Sequence, residues 1–282
     1  MSAPQVSRET LRGVLFGRYG MKRQRRVGWR LALLLSSLML FLAIWSVVVS
    51  LGDYPPFILP SPAAVAERLG QVITDASLWS HTAVTLIEVL AGLGLGALFA
   101  TLLGYALAHS RVAEQILAPY IVASQSMPTV AIAPLLVIWF GTGLLSKVVV
   151  CALIVFFPIL INTVTGVRSV DRGLQDLMST LEASRWQTIW LLEVPAALPV
   201  LISGFKVGAT LSVIGAVVGE FVASTSGLGY LLKQGQQLYD TPLIFVALAT
   251  LVLLAQMLYG SVALAEQVLL RGRRQSVSGG NS

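Results

Sequence analysis

The sequence predicts an all-α integral membrane protein with six transmembrane helices and a long cytoplasmic loop between the fourth and fifth helices. Composition is the first observation: the 282 residues are 56% hydrophobic and only 11% charged, whereas soluble domains carry about 25% charged residues. The second observation is a set of long apolar segments, since about 20 consecutive apolar residues are needed to cross a bilayer. Six such segments lie at residues 31–52, 89–108, 115–140, 148–167, 200–219 and 241–265.

The first span is expected to remain in the mature chain, since it is too long for the apolar core of a signal peptide. Residues 1–30 form a basic segment ahead of it, and residues 271–282 form a tail that we expect to be disordered. Residues 31–270 then make one transmembrane domain, which includes the cytoplasmic loop at about residues 168–198.

Basic residues are distributed unequally between the two sides of the predicted bundle. With a cytoplasmic N-terminus, fifteen lysines and arginines lie on the inner side, and Arg68, Lys147 and Lys233 lie in outer loops. This bias places both termini in the cytoplasm. The formal net charge of +6 is therefore assigned to orientation and to contact with anionic lipid rather than to nucleic acid, because no aromatic-rich basic surface accompanies it.

The residues that carry catalysis or bind metals are sparse. His81, His109 and the single Cys151 are isolated from one another in the sequence, so we predict no catalytic site and no metal site. A G-x-x-x-x-G-K-[ST] phosphate loop is also absent, so ATP would have to be bound by a separate subunit. From these features, a secondary transporter or channel that works without ATP remains an alternative.

Small residues and caps predict how the bundle packs. "SPAAVAERL" predicts a short outer helix with Ser61 as N-cap and Pro62 at its first position. Three glycine pairs with a spacing of four predict grooves where helices approach closely, within a tight bundle or at a dimer seam. The pairs are Gly92 and Gly96, Gly204 and Gly208, and Gly215 and Gly219.

The cytoplasmic loop combines charged residues with helix signals. Ser179 and Glu182 match a capping box, and we predict two helices at about 171–178 and 180–192, ended by Pro195 and Pro199. Trp186, Ile189 and Trp190 would give the second helix an apolar face. Such a helix either lies on the inner membrane surface or docks on a cytoplasmic protein.

Polar residues within the spans are candidates for a solute pathway, because polar groups in lipid tend to face a cavity or a partner. A helix broken at Pro128 would also expose backbone carbonyls. Lys206 either extends to the cytoplasmic interface or forms a cationic site for an anionic substrate. The pathway candidates are Gln125, Ser126, Asn162, Trp139, Phe140 and Lys206.

The loop sequence "DLMSTLEASRWQTIWLLEVPAALP" resembles the cytoplasmic loop of binding-protein-dependent ABC importer permeases, whose signature is E-A-A, three residues, G, nine residues, I-x-L-P. On this signature, Asp176 stands at the glutamate, Leu177 and Met178 at the alanines, Glu182 at the glycine, Leu192 at the isoleucine, Val194 at the leucine and Pro195 at the proline. Residues 126–171 and "GEFVASTSGLGYLL" extend the resemblance, which covers about residues 57–266.

The resemblance implies a type I importer permease in a bacterial inner membrane. Its partners would be cytoplasmic ABC ATPase subunits, a second permease copy in a homodimer and an external substrate-binding protein. The loop would act as a coupling helix that inserts into the ATPase. By this resemblance the coupling residues are Asp176, Glu182, Ala183, Ser184, Arg185, Trp186 and Pro195.

The subgroup that these segments resemble imports nitrate, sulfonates, taurine, thiamine-pyrimidine precursors and, in some bacteria, riboflavin. An aromatic heterocycle or vitamin, such as a pyrimidine precursor or riboflavin, is the expected solute. A sulfonate, taurine or nitrate remains the alternative, because the external binding protein largely sets the specificity of such importers.

Overall fold

The computed structural model describes residue 29, residues 32–33 and residues 35–278, apart from the side chains of residues 126 and 271–278. The predicted basic segment 1–30 therefore lies almost wholly outside the described residues. The described chain is helical. Its helices are α1 Leu35–Gly52, α2 Pro62–Thr74, α3 Ser77–His109, α4 Arg111–Ser126, α5 Thr129–Phe140, α6 Leu144–Arg168, α7 Arg172–Thr180, α8 Arg185–Gln187, a π-helix Thr188–Glu193, α9 Val194–Ala223, α10 Leu228–Gln237 and α11 Thr241–Ser278.

The described spans agree with the predicted all-α membrane class. Among the described residues, five helices are long and apolar enough to cross a membrane, and α4 with α5 makes a sixth crossing if the bent pair counts as one. Helix α11 runs to Ser278 and so includes much of the segment that we expected to be disordered.

Two compact units divide the chain, the first ending at Ala66 and the second covering Glu67–Ser282. In the first unit, the indole nitrogen of Trp45 on α1 donates to the Pro60 carbonyl at 3.1 Å. Ser61 Oγ accepts from the amide of Ala64 at 3.2 Å, and α2 begins at Pro62. The predicted N-cap and first helical position of the outer helix are thus confirmed.

Helix α6 is the centre of the second unit, packed between α3 and α9. A Cβ atom on Gly96 of α3 would lie 2.6 Å from the Ala152 carbonyl oxygen, and one on Gly215 of α9 would lie 2.7 Å from the Cα of Cys151. Because these neighbours are backbone atoms of α6, only glycine permits the observed approach. The glycine pairs therefore pack the bundle within one chain.

The third predicted span is broken rather than straight. Helices α4 and α5 meet at 94° across Met127 and Pro128, because the residue before a proline is held in extended backbone. Pro119 and Pro134 lie inside the two helices and do not end them. Pro128 is therefore the one of the three predicted prolines at which the span breaks.

Three sequence predictions about the loop and its flanks were wrong. Pro195 and Pro199 do not end the loop helix, because they lie in the first turns of α9, which continues to Ala223. The capping box is formed by Ser184 and Gln187 rather than by Ser179 and Glu182. Lys147 is not in an outer loop, since it is buried in the first turn of α6.

Candidate functional site

The break between α4 and α5 opens a cavity of about 430 Å³ against α6. Polar groups come from Ser124, Gln125 and Thr129, and apolar side chains of α5 and α6 complete the walls. Pro158 of α6 also lines this cavity. Among the described residues that line it, none is charged. The arrangement is that of a ligand cavity, with mostly apolar walls and a few polar groups.

Gln125 also lines a second cavity of about 610 Å³, which reaches Glu114 on α4 and Arg168 at the end of α6. Because Gln125 lines both cavities, it lies between the cavity at the α4–α5 break and the end of α6 that leads into the loop. The structure therefore places the predicted pathway residue Gln125 where two cavities meet. The side chain of Ser126 lies outside the described residues.

The other pathway candidates do not join Gln125 in the first cavity. Asn162 donates from Nδ2 to the carbonyl of Pro158 in its own helix at 2.8 Å, and its side chain packs against Gly204 of α9. Trp139 and Phe140 lie exposed at the end of α5. Neither side chain lines the first cavity.

Lys206 is engaged inside the chain. Its Nζ lies 2.5 Å from Glu266 Oε2 on α11 and 5.8 Å from the centre of the Tyr259 ring. The carboxylate neutralises the ammonium group, and the ring face adds a cation–π contact. The positive charge that we considered for an anionic substrate is thus already paired.

The loop that carries the predicted coupling residues forms a compact turn. Asp171 caps α7 by accepting from the amides of Gly173 and Leu174. After α7, the amide of Ala183 donates to the Met178 carbonyl at 3.0 Å. In the capping box, Ser184 Oγ accepts from the Gln187 amide at 3.3 Å, and the Gln187 side chain accepts from the Ser184 amide at 2.8 Å.

Glu182 occupies the left-handed region of backbone conformation, with φ of 52°. That region costs an ordinary residue about 1–2 kcal/mol and costs glycine little. The signature has glycine at this position, so the structure gives a conformational reason for that preference. Asp176 is exposed on α7, and Pro195 begins α9 together with Val194.

Bulky apolar side chains on the loop point away from the chain. Trp186 is 71% exposed, Trp190 61% and Leu191 70%. Arg185 is exposed beside them. Exposed apolar groups that cluster in this way mark a contact surface for protein or membrane.

Sequence reasoning missed a buried polar cluster at the opposite ends of these spans. Lys147 Nζ lies 3.1 Å from Glu88 Oε1 of α3 and donates to Ser224 Oγ at 2.7 Å. Glu220 accepts from Thr85 Oγ1 at 2.6 Å and from the amide of Gly229. Ionisable residues inside apolar spans are the signal that could have identified Glu88.

The comparisons with known proteins agree with this architecture. Residues 92–271 match the family model described as binding-protein-dependent transport system inner membrane component. The riboflavin transport system permease protein RibX of Chloroflexus aurantiacus is 51% identical over 247 residues, covering 88% of this chain and 92% of the relative. The formylaminopyrimidine transport permease protein ThiX of Halalkalibacterium halodurans is 32% identical, and the match covers 84% of this chain and 94% of the relative.

A solved structure shares the fold. The inward-facing MetNI methionine ABC transporter matches with a TM-score of 0.56 and 19% identity, over 69% of this chain and 94% of that chain. The family match covers the broken α4–α5 crossing, the loop and the glycine-packed core, and it excludes the ATP-independent class that the sequence had left open. The chain therefore belongs to the binding-protein-dependent transport system inner membrane components, the permease subunits of ABC importers.

Proposed function

We propose that this permease subunit passes riboflavin, or a closely similar neutral aromatic heterocycle, across the membrane. The observation that carries the proposal is the cavity beside the α4–α5 break, which has apolar walls, the polar groups of Ser124, Gln125 and Thr129, and no charge among its described lining residues. Such a lining suits an uncharged aromatic ring system with a few hydrogen-bonding edges.

An anionic solute is the second candidate, since sulfonate, taurine and nitrate importers belong to the resembled subgroup. It has less support from the contacts in this chain. Lys206, which lies within α9, is paired with Glu266 at 2.5 Å. Lys147 is buried against Glu88. The 51% identity to a riboflavin permease, against 32% for the pyrimidine permease, favours the flavin over the pyrimidine.

In this proposal, the movement driven by ATP reaches the permease through the loop between α6 and α9. A cytoplasmic ATPase subunit would cover the exposed side chains of Trp186, Trp190 and Leu191, with Ala183, Ser184 and Arg185 at the tip of the turn. The loop and both termini would face the cytoplasm of a bacterial inner membrane. Because each chain has one such loop, two copies in a homodimer would dock two ATPases. An external binding protein would deliver the solute.

The transport experiment reconstitutes the chain with its ATPase and binding protein in liposomes, with labelled solutes supplied on the binding-protein side. We expect riboflavin uptake that requires both ATP and the binding protein, and no taurine uptake. Uptake of taurine or nitrate without riboflavin would contradict the proposed solute. Gln125→Leu should lower riboflavin uptake by about tenfold, the loss expected for one or two hydrogen bonds, whereas Gln256→Leu, at an exposed position of α11, should not.

The docking experiment measures co-purification of the ATPase with a tagged permease. We expect the combined change of Ala183→Glu and Arg185→Glu to abolish co-purification, because it places two carboxylates at the tip of the turn. Retention of the ATPase by this variant would remove the loop from the docking surface.

A further inference from the structure

Glu193 stands at the joint between the loop and the fifth crossing. It is the last residue of the π-helix Thr188–Glu193, and α9 begins at the next residue. Unlike the tryptophans before it, Glu193 is buried, with 7% of the residue exposed. A π-helix inside a helical run is uncommon and often marks a functional position.

Both carboxylate oxygens of Glu193 are held by the last turn of α3. Tyr105 donates from its hydroxyl to Oε2 at 2.8 Å, and His109 Nε2 lies 3.0 Å from Oε1. The rings of Tyr105 and His109 are in contact, with centres 4.5 Å apart and planes inclined at 43°. We name these three residues the Glu193 clamp. They join the loop to α3, whereas the chain itself connects the loop only to α6 and α9.

Both ring nitrogens of His109 face oxygen atoms. Its Nδ1 lies 3.0 Å from the carbonyl oxygen of Tyr105, while its Nε2 faces the Glu193 carboxylate. The His109 ring therefore links the backbone of α3 to the Glu193 carboxylate, in addition to the hydrogen bond from Tyr105.

The end of α3 is in turn fastened to α4 and α6. Arg168, the last residue of α6, donates to the carbonyl oxygens of Leu107 at 3.1 Å and Ala108 at 3.4 Å. Its Nη1 donates to Glu114 Oε1 at 2.6 Å. A displacement of Glu193 thus acts on the point where α3, α4 and α6 meet. Helix α4 leads from this point to Gln125 and the cavity.

We propose that Glu193 is a positioning residue that transmits movement of the docked loop to α3 and α4, so that ATP hydrolysis drives solute passage. This inference rests on the proposed function. A loop joined only through the covalent chain would move α6 and α9, whereas the clamp makes the end of α3 follow as well. Rigid helices with discrete contacts convey such movements between distant sites.

The experiment compares solute molecules transported per ATP hydrolysed in reconstituted complexes. The variants are Glu193→Ala, Tyr105→Phe and their combination, with Glu67→Gln as control because Glu67 is exposed on α2. We expect Glu193→Ala to lower transport about tenfold or more while ATPase binding and hydrolysis stay within about twofold. Tyr105→Phe should cause a smaller loss, and the combined variant should be no worse than Glu193→Ala, since both remove one linkage.

Several outcomes separate the inference from the proposed function. If transport and hydrolysis fall together so that their ratio stays constant, Glu193 does not transmit movement, and the inference is overturned. If Glu193→Ala fails to assemble, Glu193→Gln takes its place, since it preserves the volume and one acceptor oxygen. It should lower the ratio of transport to hydrolysis by less than the loss expected of Glu193→Ala, and an unchanged ratio overturns the inference. Failure of the unmodified complex to bind an ATPase or to transport any solute would instead refute the proposed function.

Discussion

Gly96→Ala tests the packing that holds α6 between α3 and α9. The added Cβ would lie 2.6 Å from the Ala152 carbonyl oxygen and 3.0 Å from its Cα, well inside ordinary contact distances. Since these are backbone atoms, α3 and α6 must separate. Overpacking of this kind costs about 1–3 kcal/mol.

Gly94→Ala is the matched control, because a Cβ at Gly94 of the same helix meets nothing within 4 Å. Both variants exchange glycine for alanine in α3, so the gain in helix propensity of about 1 kcal/mol cancels between them. The difference in the free energy of unfolding between the two variants then reports the contact alone. By the scaling for domains of 150–250 residues, it should appear as a melting difference of about 2 to 12 °C.

The assay heats each purified variant in detergent and measures the fraction that remains monodisperse by fluorescence-detected size exclusion. We expect Gly96→Ala to melt below the unmodified chain and Gly94→Ala to melt at or above it. Equal melting of the two variants would show that α3 and α6 do not approach as closely as the structure places them.

Three further predictions concern charged side chains. Hydrogen–deuterium exchange in residues 172–193 should be slower in Glu182→Gly than in Glu182→Val, because the left-handed backbone costs a non-glycine residue about 1–2 kcal/mol. Equal exchange in the two variants would contradict the φ of 52°. Lys147→Met should lower the yield of folded protein sharply, since an unpaired buried carboxylate costs about 3–5 kcal/mol, and adding Glu88→Gln should restore part of that yield. The double variant Lys206→Met with Glu266→Gln should retain riboflavin uptake, because Lys206 is paired with Glu266 and does not line the cavity. A folded double variant without uptake would indicate that Lys206 contacts the solute.

Much of the fold was predictable because it depends on local and periodic signals. Apolar length identified the spans, Ser61 and Pro62 identified the start of α2, and the glycine spacing identified the faces where helices meet. The same signals give positions along a helix but not angles between helices. The 94° bend at Pro128 therefore became known only from the structure, although the proline itself was recognised as a candidate break.

The wrong predictions about the loop arose where one sequence pattern is compatible with two local structures. Ser179 with Glu182 and Ser184 with Gln187 both fit a capping box, and the structure uses the second because the chain turns at Glu182. Pro195 looked like a helix end, yet the helical run Arg185–Ala223 continues through it, and Pro195 follows directly after the π-helix as the second residue of α9.

Part of the candidate site depends on contacts between residues distant in the sequence. Glu193 meets Tyr105 and His109 across more than 80 positions of the chain, and Lys147 meets Glu88 across 59 positions. No spacing in the sequence encodes such pairs. Gln125 was found because it adjoins Pro128, a local signal, whereas the clamp and the buried cluster have no local counterpart.

The proposed mechanism requires the loop between α6 and α9 to lie on the cytoplasmic side of the membrane. Ala183→Cys places a thiol at the turn, and Cys151, the native cysteine, is fully buried and serves as the unlabelled control. A maleimide that cannot cross membranes should label Ala183→Cys in inside-out vesicles, fail to label it in right-side-out vesicles, and lose access when the ATPase is bound. Labelling from the external side would contradict the orientation, the docking surface and the route by which ATP drives transport.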